Sequence, residues 1–100
     1  MTLSNQDLAL VIMNLKNLRF YDNGGKTIDR YTVLYLDCPE GRNLYGARGM
    51  SANPFHPQGF GMSCTAMPGK HLGKRITFEA LPQDCQRAVV QDLRIDASLV

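Results

Sequence analysis

The sequence predicts an α+β fold: a small, mostly antiparallel sheet of three to four strands with an N-terminal and a C-terminal helix packed on it. Three observations carry this. A capped, apolar-periodic segment opens the chain at Leu3, a second follows Leu81-Pro82, and between them lies Phe20 to Leu36, a run of β-formers built around Asn23-Gly24-Gly25. At 100 residues the chain makes a single domain, residues 1–100, with a core burying roughly 60 to 65% of the unfolded surface. An apolar content of 44% and a charged content of 20% fit an ordinary globular protein.

Ser4 is positioned to cap the first helix. Asp7 stands at the third helical position, near the positive end of the helix dipole, and Leu3 is spaced to staple onto Leu8. Leu8, Val11, Ile12 and Leu15 recur at i, i+3, i+4 and i+7, a stripe expected to pack on the sheet, with the helix ending near Lys16 or Asn17. Arg19 to Asp22 then reads as an incoming strand and Thr27 to Leu36 as the outgoing one. A tight connection of two to four residues is expected at the glycines, which accept the positive φ such turns require. Val33 to Leu36 is apolar on both alternating faces and predicts a central strand covered on two sides, while Lys26 to Arg30 is polar and should reach solvent. Gly25-Lys26-Thr27 invites a phosphate-loop reading, but the required earlier glycine is Phe20 and a strand follows instead of a helix, so that reading is set aside.

Pro39, Gly41 and Asn43 predict a turn or loop over Asp37 to Asn43, because proline cannot continue a central strand. Leu44 to Met50 is a third strand in which Gly46 and Gly49 signal a bulge or close approach by another backbone. Ser51 to Met62 carries two prolines and two glycines around Phe55, His56 and Phe60. Either the phenylalanines plug the core from an ordered loop, or they line a pocket with His56 and Gln58. Loop-forming residues continue from Met62 to Lys74. Arg75 to Glu79 alternates charged and apolar residues as a short strand does. Pro82 suits the first helical position and Asp84 the first turn, with Cys85, Ala88, Val89 and Leu93 as the buried stripe.

No apolar run approaches the roughly 20 residues of a membrane span, and the polar start lacks the basic region of a signal peptide, so a cytoplasmic location is expected. Cys38, Cys64 and Cys85 are odd in number and widely spaced, which predicts reduced thiols, with Cys85 in the core. Cys64, His56 and His71 are zinc-competent residue types without the short spacing of a zinc motif, and neither a metal nor a cofactor is expected. The net charge of +2 is too small to imply nucleic-acid binding by itself, and the chain is no acidic DNA mimic. Gly41 to Arg75 nevertheless holds Arg42, Arg48, Lys70, Lys74 and Arg75 with no acidic residue. That run is either an anion-attracting face or simply a solvated one.

Candidate binding residues form three groups. Asp22, Asn23, Lys26, Asp29 and Arg30 surround the hairpin turn; Asn53, His56 and Gln58 lie in the proline-rich loop; Lys70, His71, Lys74 and Arg75 make the basic stretch. Asp22 and Asn23 are also suited to fixing the turn, and Asp29 to meeting a basic residue on the neighbouring strand. No catalytic residue is assigned.

The motif Tyr21-Asp22-Asn23-Gly24-Gly25-Lys26-Thr27, continuing to Val33, is followed by Asn53-Pro54-Phe55-His56-Pro57-Gln58-Gly59 and a final Leu-Pro-x-x-x-Gln-x-Ala-Val helix. Together they resemble a group of small uncharacterised proteins from bacteriophages and bacterial genomes, over about Phe20 to Leu93. The resemblance transfers no catalytic residue. It implies a phage or prophage setting, in which small single-domain proteins bind and redirect host machinery, defence systems included. The expected function is a non-catalytic binding protein that engages a host protein or a protein–nucleic-acid complex. Two further readings differ in class: a small enzyme or binder acting on a phosphorylated or nucleotide-like ligand with His56 or His71 as acid/base, and a self-associating structural subunit.

Overall fold

In the computed structural model, which describes residues 3–53, 55 and 60–98, the chain enters helix α1 (Asn5–Asn14) through a reciprocal cap. The Asp7 amide donates to Ser4 Oγ at 3.1 Å and the Ser4 amide donates to the Asp7 carboxylate at 3.2 Å. A single 3₁₀ turn, Leu15–Asn17, then feeds the sheet. Its strands are β1 (Leu18–Asp22), β2 (Tyr31–Gly41), β3 (Leu44–Met50), β4 (Gly61–Ala66) and β5 (Lys74–Ile76), all pairing antiparallel in the order β4-β3-β2-β1-β5. Helix α2 (Gln83–Ser98) closes the chain. The α+β class with a helix at each end is therefore as predicted, with five strands in the sheet.

β2 occupies the centre because it is apolar on both faces. Val33, fully buried, joins Phe20, Met50, Phe78, Cys85 and Val89 in the main core beneath the helices. Leu34, also fully buried, lies on the opposite face with Tyr21 and Ala47. Burying each such side chain contributes about 1.5–3 kcal/mol. The second cluster exists because the chain crosses from one edge of the sheet to the other between β4 and β5, and Leu72 of that crossing packs on it.

The structure corrects several expectations. In the predicted stripe of α1 only Val11 is buried; Leu8, Ile12 and Leu15 are 41%, 67% and 44% exposed. The helix is rolled so that Val11 and Leu10 face inward, because α1 meets α2 as well as the sheet, with Asp7 ion-paired to Arg94. The hairpin connection is longer than a tight turn: Asp22 pairs with Tyr31, so Asn23 to Arg30 all lie outside the ladder. β2 runs through Pro39 to Gly41, with register shifts around the proline. This is tolerated because β1 begins, with Leu18, opposite Tyr35, leaving β2 beyond it with β3 alone as a neighbour. Gly61–Ala66, read as loop, is a strand. Phe55 is 89% exposed and does not plug the core, whereas Phe60 packs against it. The last strand is short, and Phe78–Ala80 forms a 3₁₀ turn that sets Phe78 edge-on to Phe20.

Candidate functional site

The hairpin loop is locked by its own side chains. Asp22 Oδ1 accepts from the Gly24 amide at 2.8 Å, and Arg30 clasps the same carboxylate with Nε at 2.8 Å and Nη2 at 3.1 Å. Asn23 Oδ1 accepts from the Gly25 and Lys26 amides, while its Nδ2 donates to Thr27 Oγ1 and to the Asp29 carbonyl. Gly24 and Gly25 supply the positive φ, 77° and 91°, that this path demands. The Arg30 guanidinium also stacks 5.2 Å from the centre of the Tyr31 ring. Its hydrogen bonds, with the Gly24 amide, hold the Asp22 carboxyl below its usual 3.8 against the opposing effect of burial. Asp22, Asn23 and Arg30 thus fix the turn.

Asp29 does not meet a basic residue on the neighbouring strand. It lies against Gly49 of β3, where a Cβ would come within 3.0 Å of its carboxylate, and no described residue forms an ion pair with it. The close approach at Gly49, expected from another backbone, is made instead by this side chain, and that at Gly46 by Cys38, nearest through its Cβ.

The basic stretch lies beside the hairpin. In the β1–β5 register Lys74 stands opposite Asp22 and Arg75 opposite Tyr21. Gly73 permits this contact: its φ is 107°, and a Cβ there would overlap the Asp22 carbonyl oxygen and sit 2.6 Å from Asn23 Cα. The 3₁₀ turn Lys70–Leu72 precedes it, held on the sheet by Leu72. Tyr21, Gly69, Lys70, Gly73, Lys74 and Arg75 line an open concavity of about 390 Å³. Among the described residues, Lys26, Lys70, Lys74 and Arg75 have no ion-pair partner, while Asp22 is already neutralised by Arg30. Unpaired ammonium and guanidinium groups suit phosphate or carboxylate oxygens, the guanidinium as a two-pronged donor.

Of the remaining predicted residues that are described, Asn53 and His71 do not line this concavity. Asn53 follows β3, with β2 and β1 between it and β5, and its side chain accepts from the Phe55 amide at 2.9 Å. Ser51 anchors that connection: it is buried, and its hydroxyl donates to the Asn53 carbonyl at 2.6 Å. His56 and Gln58 lie outside the described residues. His71 is exposed, and no described residue hydrogen-bonds its ring. Among the described residues no three His, Cys, Asp or Glu side chains gather as metal ligands.

Sequence reasoning missed Tyr21 and the paired glycines of the concavity, although Gly69 and Gly73 each precede a basic residue of the stretch and were a usable signal. It also missed a polar network on the helix side of the sheet. There Asp92 of α2 accepts from Tyr35 Oη at 2.5 Å and from Arg48 Nε and Nη2, both at 2.7 Å, and Arg48 and Asp92 line a groove of about 320 Å³. The hydrogen bonds to Asp92 raise the Arg48 pKa against the effect of its burial. That pairing removes Arg48 from the free basic charge. No family model, no curated protein and no solved structure matches the chain.

Proposed function

We propose that this is a non-catalytic binding protein of phage or prophage type, which engages a host protein or a protein–nucleic-acid complex through an anionic surface of that partner. Inhibition of a host-defence complex is the form of activity this reading favours. The observation that supports it is the opposition of Lys74 to Asp22 across β5 and β1, with Asp22 cancelled by Arg30. One end of the sheet thereby becomes a rigid loop flanked by Lys70, Lys74 and Arg75, whose charges no described acidic residue offsets. Clustered unpaired cations steer and orient an anionic partner.

The test is capture from bacterial lysate, with and without nuclease, comparing the parent chain with the Lys74→Glu/Arg75→Glu variant. Both side chains are exposed and Asp22, opposite Lys74, is already paired with Arg30, so the variant should keep its melting temperature to within a few degrees while retention of the partner falls at least tenfold. Equal retention by the two proteins would sink the proposal. Loss of the partner on nuclease treatment would assign it to a nucleic-acid complex.

A further inference from the structure

The two edges of the sheet are built differently. β5 is three residues long and carries Lys74 and Arg75, a short, charged edge of the kind that resists pairing with a foreign strand. β4 has neither protection. Its six residues, Gly-Met-Ser-Cys-Thr-Ala, include no charge and no proline, and their register with β3 is unbroken from Gly61 to Ala66. All but Ala66 are exposed. With β3 on one side only, the other side of β4 presents a straight row of backbone donors and acceptors with no strand against it among the described residues.

We propose that β4 pairs antiparallel with β4 of a second copy of this chain, about a two-fold axis perpendicular to the sheet, joining two five-stranded sheets into one. A second copy fits this edge on three counts. The strand is uncharged, so self-pairing sets no like charges opposite one another. A perpendicular two-fold axis makes the two strands antiparallel while keeping both helix layers on one side. The Met62, Cys64 and Ala66 face of one copy therefore continues the same face of the other. Finally, the side chains are self-complementary when Cys64 lies on the axis: Met62 opposes Ala66 of the copy, large against small, and Ser63 opposes Thr65 as a hydroxyl pair. Met62, 59% exposed in the single chain, gains a neighbour across the seam in that arrangement. One such ladder falls near the lower limit for a specific interface, roughly 1,000 Å². A dissociation constant in the micromolar range is accordingly expected.

Antiparallel neighbours directly opposite one another have Cα atoms about 4.5–5.5 Å apart, within disulfide range. The experiment therefore uses the full chain carrying Cys38→Ser, in which Cys64 is exposed and Cys85 is fully buried. Diamide takes two electrons and two protons from a pair of thiols, leaving a disulfide and the hydrazine. Sedimentation should give a mass that rises to that of a dimer by about 100 µM, and diamide should trap a dimer linked through Cys64. Cys64→Lys, which sets two ammonium groups face to face at an exposed position, should remain folded and monomeric. The Lys74→Glu/Arg75→Glu variant should dimerise as the parent does, which separates this inference from the proposed function. A parent that stays monomeric above roughly 100 µM, or a dimer undiminished by Cys64→Lys, would overturn it.

Discussion

At Asp22 one carboxylate serves two purposes: it accepts from the Gly24 amide that starts the loop and from Nε and Nη2 of Arg30, which close it. Its pKa is held below the usual 3.8 by the Arg30 hydrogen bonds first and the Gly24 amide after them, burial opposing both. A carboxylate depressed in the folded state adds stability that is present above its unfolded pKa and lost as pH falls through its folded one. Asp22→Asn keeps the shape and removes that ionisation. At neutral pH the variant should be less stable by about 1 kcal/mol, the upper range for a partly solvent-screened pair. The difference should shrink as pH drops from about 5 to below 3, as read by urea unfolding of both proteins across that range. A difference constant with pH would mean the carboxylate is not the clasp described.

Among the elements, β5 depends on one glycine. Gly73 combines a φ of 107° with a Cβ position already filled by the Asp22 carbonyl, two independent reasons that no other residue fits. Gly73→Ala should cost at least ~2 kcal/mol, measured as a lowered melting temperature, and should weaken partner capture because β5 carries Lys74 and Arg75 against β1. Helix α1 makes the opposite point about substitution. Val11→Ala should cost about 1.5–3 kcal/mol, whereas Ile12→Ser, at a position 67% exposed, should stay within about 0.5 kcal/mol. Denaturant melts of the two variants decide which face of α1 meets the core; the reverse order would restore the stripe through Ile12.

For the whole molecule, one end of the sheet collects the β1–β2 loop, the β3–β4 connection and the start of β5, because the strand order sends alternate connections to the same end. No described helix is long and apolar enough to cross a membrane. The sequence by itself determined what depends on neighbours along the chain. Ser4 and Asp7 cap α1 because their spacing matches one helical turn. Val33 and Leu34 mark the central strand because alternation assigns them to opposite faces, and Asp22 with Asn23 marks the loop because short polar side chains reach their own backbone. Only the tertiary structure decided which face of α1 turns inward, that Gly61–Ala66 becomes an edge strand, and that Phe55 stays outside the core while Phe60 enters it. It alone paired Arg48 with Asp92 and set Lys74 opposite Asp22. These depend on contacts between residues 44 and 52 positions apart, whose partners are selected by the packing of other elements and leave no periodic trace in the chain.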